Sequence, residues 1–251
     1  MQVTGSNTPT SAPTVRLTLP PDWAHLTDKQ LMFAFYLIAL QLSPIQVQTH
    51  CLLKWAGLKL LYHEGSRLII RHNKDTFPLS LGQMAWAVHQ LDFLNQLPAY
   101  PVRPSRIGRH RPLDATLQDA SFETFLCVDN LYQGFLSTQN NNLLDSLFTL
   151  LYQTREHTCT PAQRVAVFYW AASLKQYLAK IFPAFFRPAS NSNKLAISPT
   201  SQQDIVNTQI RALTHGDPTK ERLVLALPCH TALWELNQQA QEYEELHRKY
   251  K

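Results

Sequence analysis

Leu58–His72 reads LKLLYHEGSRLIIRH, and the fold class turns on this stretch. Two β-prone runs lie either side of Glu64-Gly65-Ser66, as in a hairpin, and Asn73-Lys74-Asp75 leads into a third run that ends near Pro78. No other part of the chain carries a comparably strong β signal. The segments around it have helical spacing and helix-start residues. The class is therefore mostly α, of the α+β kind: a helical domain with a small antiparallel hairpin or meander near residues 58–79 and a C-terminal helical segment.

Working outward, Thr27 and Gln30 have the spacing of a capping box and open the apolar run Leu31–Leu40, LMFAFYLIAL. Ser43-Pro44 restarts the chain as a helix reaching about Gly57, because Ser caps well and Pro loses nothing in a first turn. Val15–Pro20, VRLTLP, reads as a short strand-like piece. Downstream, Ser80 and Gln83 repeat the capping box, and Met84, Val88, Leu91 and Leu94 extend a helix to about Gln96. Two helices follow, near 121–137 and 141–152, and Thr160-Pro161-Ala162-Gln163 opens a long one whose apolar face is Val167, Trp170, Leu174, Leu178 and Ile181.

The expected organisation is a disordered tail at 1–14, a main helical domain at 15–185, a linker or mobile loop at 186–203, and the C-terminal helical segment at 204–251. Ser, Thr and Pro dominate the tail, and Ser, Asn, Pro and Gln the linker. In the C-terminal segment Gly216 ends one helix and Asp217-Pro218 starts the next. Leu233, Leu236, Ala240 and Tyr243 stripe a final helix, with Glu244 and Glu245 placed to pair with Arg248 and Lys249.

With 251 residues, 45 % of them hydrophobic, the chain can bury a sizeable core. A formal charge of +5 permits a nucleic-acid partner without requiring one. The four cysteines are widely spaced and read as reduced, mostly buried thiols rather than a disulfide framework. The ten-residue apolar run is about half of the roughly 20 residues that span a bilayer, so no membrane role is expected. The N-terminus shows no secretory signal, and a cytoplasmic location is expected.

The densest positive cluster is Arg103, Arg106, Arg109, His110 and Arg111, set in LPAYPVRPSRIGRHRPL with no acidic residue between Asp92 and Asp114. Arginines on a proline-stiffened loop suit phosphates or an acidic partner surface, because forked hydrogen bonds form with little loop entropy lost. The plainer alternative is that they pair with the protein's own carboxylates and helix C-termini. Trp234 lies off the Leu233–Leu236 stripe and is a candidate partner anchor, while the remaining tryptophans, Trp23, Trp55, Trp86 and Trp170, fit core packing.

Catalytic and metal signatures are missing. The pairs His50-Cys51, His157 to Cys159 and Cys229-His230 lack the second pair that structural zinc needs, and no metal or cofactor is implied. There is no nucleophile elbow, phosphate loop or dinucleotide turn. Asp92, Asp129 and Asp145 lie in expected helices without a partner at a defined offset, which favours capping or surface charge. The helix–turn–helix outline after Asp204 is weakened by LVLAL in its second helix, too apolar to read a groove.

Four segments, Leu19–Leu31 (LPPDWAHLTDKQL), Ser105–His110 (SRIGRH), Asp129–Leu136 (DNLYQGFL) and Ile210–Asn237, resemble uncharacterised proteins of phage and prophage tail gene clusters. That resemblance implies a non-enzymatic factor of tail or virion assembly, similar to a tail-assembly chaperone, and it carries no functional residues across. The functional expectation is thus a helical interaction or assembly protein with a protein partner; nucleic-acid binding through Arg103–Arg111 is the alternative.

Overall fold

The computed structural model describes residues 17–155, 158–187 and 199–249. The expected tail at 1–14 and most of the expected linker fall outside the described residues.

Capping chemistry places the helices where the sequence points. Helix α1 (Asp28–Ala39) starts at a complete box: Gln30 N donates to Thr27 Oγ1 at 3.3 Å and Thr27 N to Gln30 Oε1 at 3.0 Å. Helix α2 (Pro44–Trp55) has Pro at its first position, and Ser43 N donates to Gln46 Oε1 at 2.9 Å. Strands β1 (Leu58–Glu64), β2 (Arg67–His72) and β3 (Asp75–Ser80) form an antiparallel meander in chain order. Gly65 (φ 57°) and Asn73 (φ 56°) supply the left-handed backbone of its two turns.

Register decides what the sheet buries. Leu60, Ile70 and Phe77 lie opposite one another, as do Tyr62, Ile69 and Pro78, with Leu61 bulged out of the pairing. Leu58, Ile70 and Phe77 enter a first core with residues of α1, α2 and α3 (Leu81–His89). Ile69 points to the other face and is buried outside that core.

The second core is built by α4 (Phe122–Thr138), α5 (Asn141–Leu151), α6 (Pro161–Ile181), α8 (Glu221–Leu225) and α9 (Cys229–Lys249), with α7 (Pro199–Thr214) against its side. Helix α6 belongs to both cores. Ala166 is buried in the first, with Val165 and Tyr169 against it, whereas Val167, Trp170, Leu174 and Leu178 fill the second. Small side chains at Ala166, Ala171, Ala172 and Ser173, all buried, let neighbouring helices approach closely.

Several sequence expectations change. Leu17–Pro20 is irregular rather than a strand, since nothing pairs with its backbone, and Leu17 and Leu19 contribute only side-chain packing. Helix α3 stops at His89 and gives way to a 3-10 turn at Asp92–Asn95, where Gln48 Nε2 draws in Leu91 O (3.2 Å) and Asp92 Oδ1 (2.8 Å). Trp86 is 68 % exposed because α3 turns Ala87 and Val88 inward instead. Pro218 begins a 3-10 turn before the five-residue α8, too short for a recognition helix. Helix α7 already starts at Pro199, inside the span expected as linker.

The C-terminal helices share a core with what precedes them. Cys229, Ala232, Leu233 and Leu236 pack with α4 and α6, so no core boundary falls between residues 187 and 199. On α9 the buried stripe ends near Asn237, and Tyr243 is 64 % exposed.

Among the described residues no helix is long and apolar enough to cross a membrane. Cys51, Cys159 and Cys229 are buried and Cys127 is exposed, all as free thiols. Burial pushes the Cys51 and Cys229 thiols up to about 12. Titration of the native protein with a disulfide reagent should therefore modify Cys127 alone, and the other three thiols should react only after denaturation. In the second core, Leu174→Ala should lower unfolding free energy by about 2–5 kcal/mol, measured by urea denaturation.

Candidate functional site

Between the two cores runs the proline-rich segment Pro98–Ala120, a strap fastened at many points. Ser105 N donates to Asp28 Oδ1 at the start of α1 (2.9 Å), and Ser105 Oγ to Asp28 Oδ2 (2.5 Å). Tyr152 OH donates to Pro104 O (3.3 Å), and Leu113 N to Leu151 O (2.8 Å) at the end of α5. Trp170 Nε1 of α6 donates to Ala115 O (2.8 Å), and His230 of α9 meets Thr116 O (3.0 Å). The Asp114 carboxylate closes the far end by accepting from Thr116 N (2.9 Å), Thr116 Oγ1 (2.5 Å) and Gln118 N (3.3 Å).

At the middle of the strap the chain folds back on itself. Ile107 N donates to His110 O (3.1 Å) and His110 N to Ile107 O (3.0 Å), a two-residue turn with Gly108 at φ 57° in its first central position. A left-handed residue there is what a type II′ turn needs, and Gly supplies it without strain. Arg109 is thereby held at the tip, with Arg106 and Arg111 flanking the turn.

The five basic residues singled out in the sequence separate into two groups. Arg103 is half-buried: its guanidinium stacks over the Trp170 ring at 5.4 Å, and its Nε has no hydrogen-bond partner. His110 is also half-buried and meets Thr154 Oγ1 through Nε2 at 3.3 Å. These two fasten the strap. Arg106, Arg109 and Arg111 are exposed, and among the described residues no carboxylate pairs with them. The plainer alternative, internal pairing, thus accounts for Arg103 through an aromatic ring and leaves three guanidiniums facing outward.

Trp234 is 55 % exposed on α9, with Leu223 of α8 70 % exposed nearby in the chain. Helix α9 continues through Tyr243 and Glu244, and Glu244 takes Arg187 Nη1 at 2.5 and 2.6 Å.

The acids that the sequence marked as cap or surface charges hold the frame together. Asp92 accepts from Gln48 and meets His89 Nδ1 at 3.1 Å, which lowers its carboxyl below the usual range. Asp129 accepts from Lys175 Nζ at 2.6 Å. Asp145 departs from the surface reading. It is buried, takes Arg164 Nε and Nη2 at 2.8 Å each in a bidentate pair, and accepts Cys159 N at 3.2 Å. The Arg164 guanidinium lowers the Asp145 carboxyl. Sequence reasoning missed this pair because its partners lie 19 residues apart on different helices.

Among the described residues no three of His, Cys, Asp and Glu group as a metal site. His230 lies against the strap, while the adjacent Cys229 is fully buried. No protein-family model matches the chain, and neither do the curated proteins or solved structures compared with it.

Asp145 sets an acid limit. A carboxyl lowered in the folded state contributes stability above the ordinary carboxylate range and loses it as pH falls through the lowered value. Asp145→Asn should flatten stability between about pH 4 and 2 in urea melts. Asp145→Ala should cost about 3 kcal/mol at pH 7, the low end for a buried pair because Arg164 keeps some solvent contact.

Proposed function

We propose that this chain is a non-enzymatic interaction or assembly factor that docks an acidic face of a protein partner onto Arg106, Arg109 and Arg111. The observation that carries the reading is three exposed, unpaired guanidiniums on a backbone already fixed by hydrogen bonds to α1, α5, α6 and α9. Immobilising a flexible loop would subtract from binding energy; a strap already fastened loses little on association. Planar guanidiniums suit carboxylates, through paired hydrogen bonds. Trp234 adds an exposed aromatic anchor of the type that carries binding energy at interfaces. The finer reading, a tail- or virion-assembly factor of a phage, rests on sequence resemblance alone.

Native pull-downs with the parent and with an Arg106→Ala, Arg109→Ala, Arg111→Ala triple variant test the proposal. A specific protein should be retained by the parent and lost by the variant, while the two melt within a degree or so of each other, since exposed arginines contribute little to folding. Retention of the same partners by both, or a turnover activity with no partner, sinks it. Nucleic-acid binding is the second reading, favoured by the same outward charges. It predicts retention on a DNA or RNA column that drops steeply with salt and in the triple variant, and equal retention of both proteins rules it out.

A further inference from the structure

A separate cavity of about 470 Å³ lies between α4, α6 and α7, on a different set of residues from the strap. That size is in the range of pockets for small organic molecules. One wall is aromatic: Phe125, Phe185 and Phe186 line it, with Phe185 and Phe186 edge-to-face at 4.8 Å and Phe125 and Phe186 at 6.5 Å. Rings arranged edge-to-face leave π faces open to a flat guest.

The opposite lining is polar and rich in acceptors. Gln209 lines the cavity, and its Oε1 is buried with no hydrogen-bond partner. A buried carbonyl left unmatched costs about 1–3 kcal/mol, so a site that leaves one open gains when a donor arrives. Lys175 and Asp129 are the charged lining residues. They pair with each other through Asp129 Oδ1, and Oδ2 has no hydrogen bond among the described residues. The paired charges cancel, which favours a neutral guest over an ion. The carboxamides of Asn130 and Gln133, also in the lining, can each give and take a hydrogen bond.

We infer that this cavity binds a small, neutral, planar heteroaromatic molecule of nucleobase size, stacked against the phenylalanines and donating N–H groups to Gln209 and Asp129. Carboxamides read base edges in pairs, and aromatic side chains stack on base faces, so both halves of the lining suit that chemistry. The inference is independent of the arginine strap and stands or falls without it.

Isothermal titration of the full chain with adenine and with cytosine tests it, alongside 6-dimethylamino-9-methylpurine, which keeps the purine ring and lacks N–H donors. One of the two bases should bind saturably at one per chain, at least tenfold tighter than the donor-free purine. Gln209→Leu should weaken that binding at least tenfold. Because the variant removes an unmatched buried carbonyl, it should melt no lower than the parent, which separates lost binding from lost folding. Absence of saturable heat with both bases at millimolar concentration overturns the inference. So does equal binding of the donor-free purine, or unchanged affinity in Gln209→Leu, since either marks a merely apolar cavity.

Discussion

Helix α6 must satisfy two cores at once, and the rest of the molecule is arranged around that demand. From Ala162 to Lys175 none of its residues is exposed, a burial that a helix reaches only when apolar partners surround it. Ala166 faces α1 and the sheet-bearing half, and Trp170 and Leu174 face α4, α5 and α9. A single amphipathic stripe could not do this. The helix needs large side chains where the second core is deep and small ones where neighbouring backbones come close, which is how Val167, Trp170 and Leu174 alternate with Ala171, Ala172 and Ser173.

The strap follows from the same constraint. Two cores sharing one helix leave a seam, and the chain that crosses it carries backbone polar groups that cannot be buried unpaired. Pro98, Pro101, Pro104 and Pro112 reduce the number of such donors, and Tyr152, Trp170 and His230 supply partners for the carbonyls. Leu117 shows how strongly the surroundings hold it. This fully buried leucine sits at φ 58°, a conformation that costs a residue with a side chain about 1–3 kcal/mol, and it is kept there by packing in the second core. Rigidity and outward charge therefore have one origin: fastening used Arg103 and His110, and Arg106, Arg109 and Arg111 were left over.

Much of this was legible in local chemistry. The caps at Thr27, Ser80 and Thr160, Pro at the start of α2 and α6, and the Gly65 and Asn73 turns act over three or four residues, and each sits where its neighbours indicate. The basic cluster was visible for the same reason, being contiguous. Trp86 and Asp145 were misread because orientation around a helix, and a partner from another helix, are not local properties. The phenylalanine-lined cavity gave no sequence signal: Phe125, Lys175 and Gln209 lie on three helices far apart in the chain.

By itself, then, the sequence determined a mostly helical chain with one three-stranded meander, the positions of its helix starts, and a rigid basic segment between Pro98 and Pro112. These depend on capping, turn geometry and periodicity, which act between near neighbours. Only the tertiary structure decided that α6 serves two cores, that the C-terminal helices close the second, and which arginines face outward. Those outcomes depend on which surfaces meet, and burial is settled by contacts between residues that the chain order keeps apart.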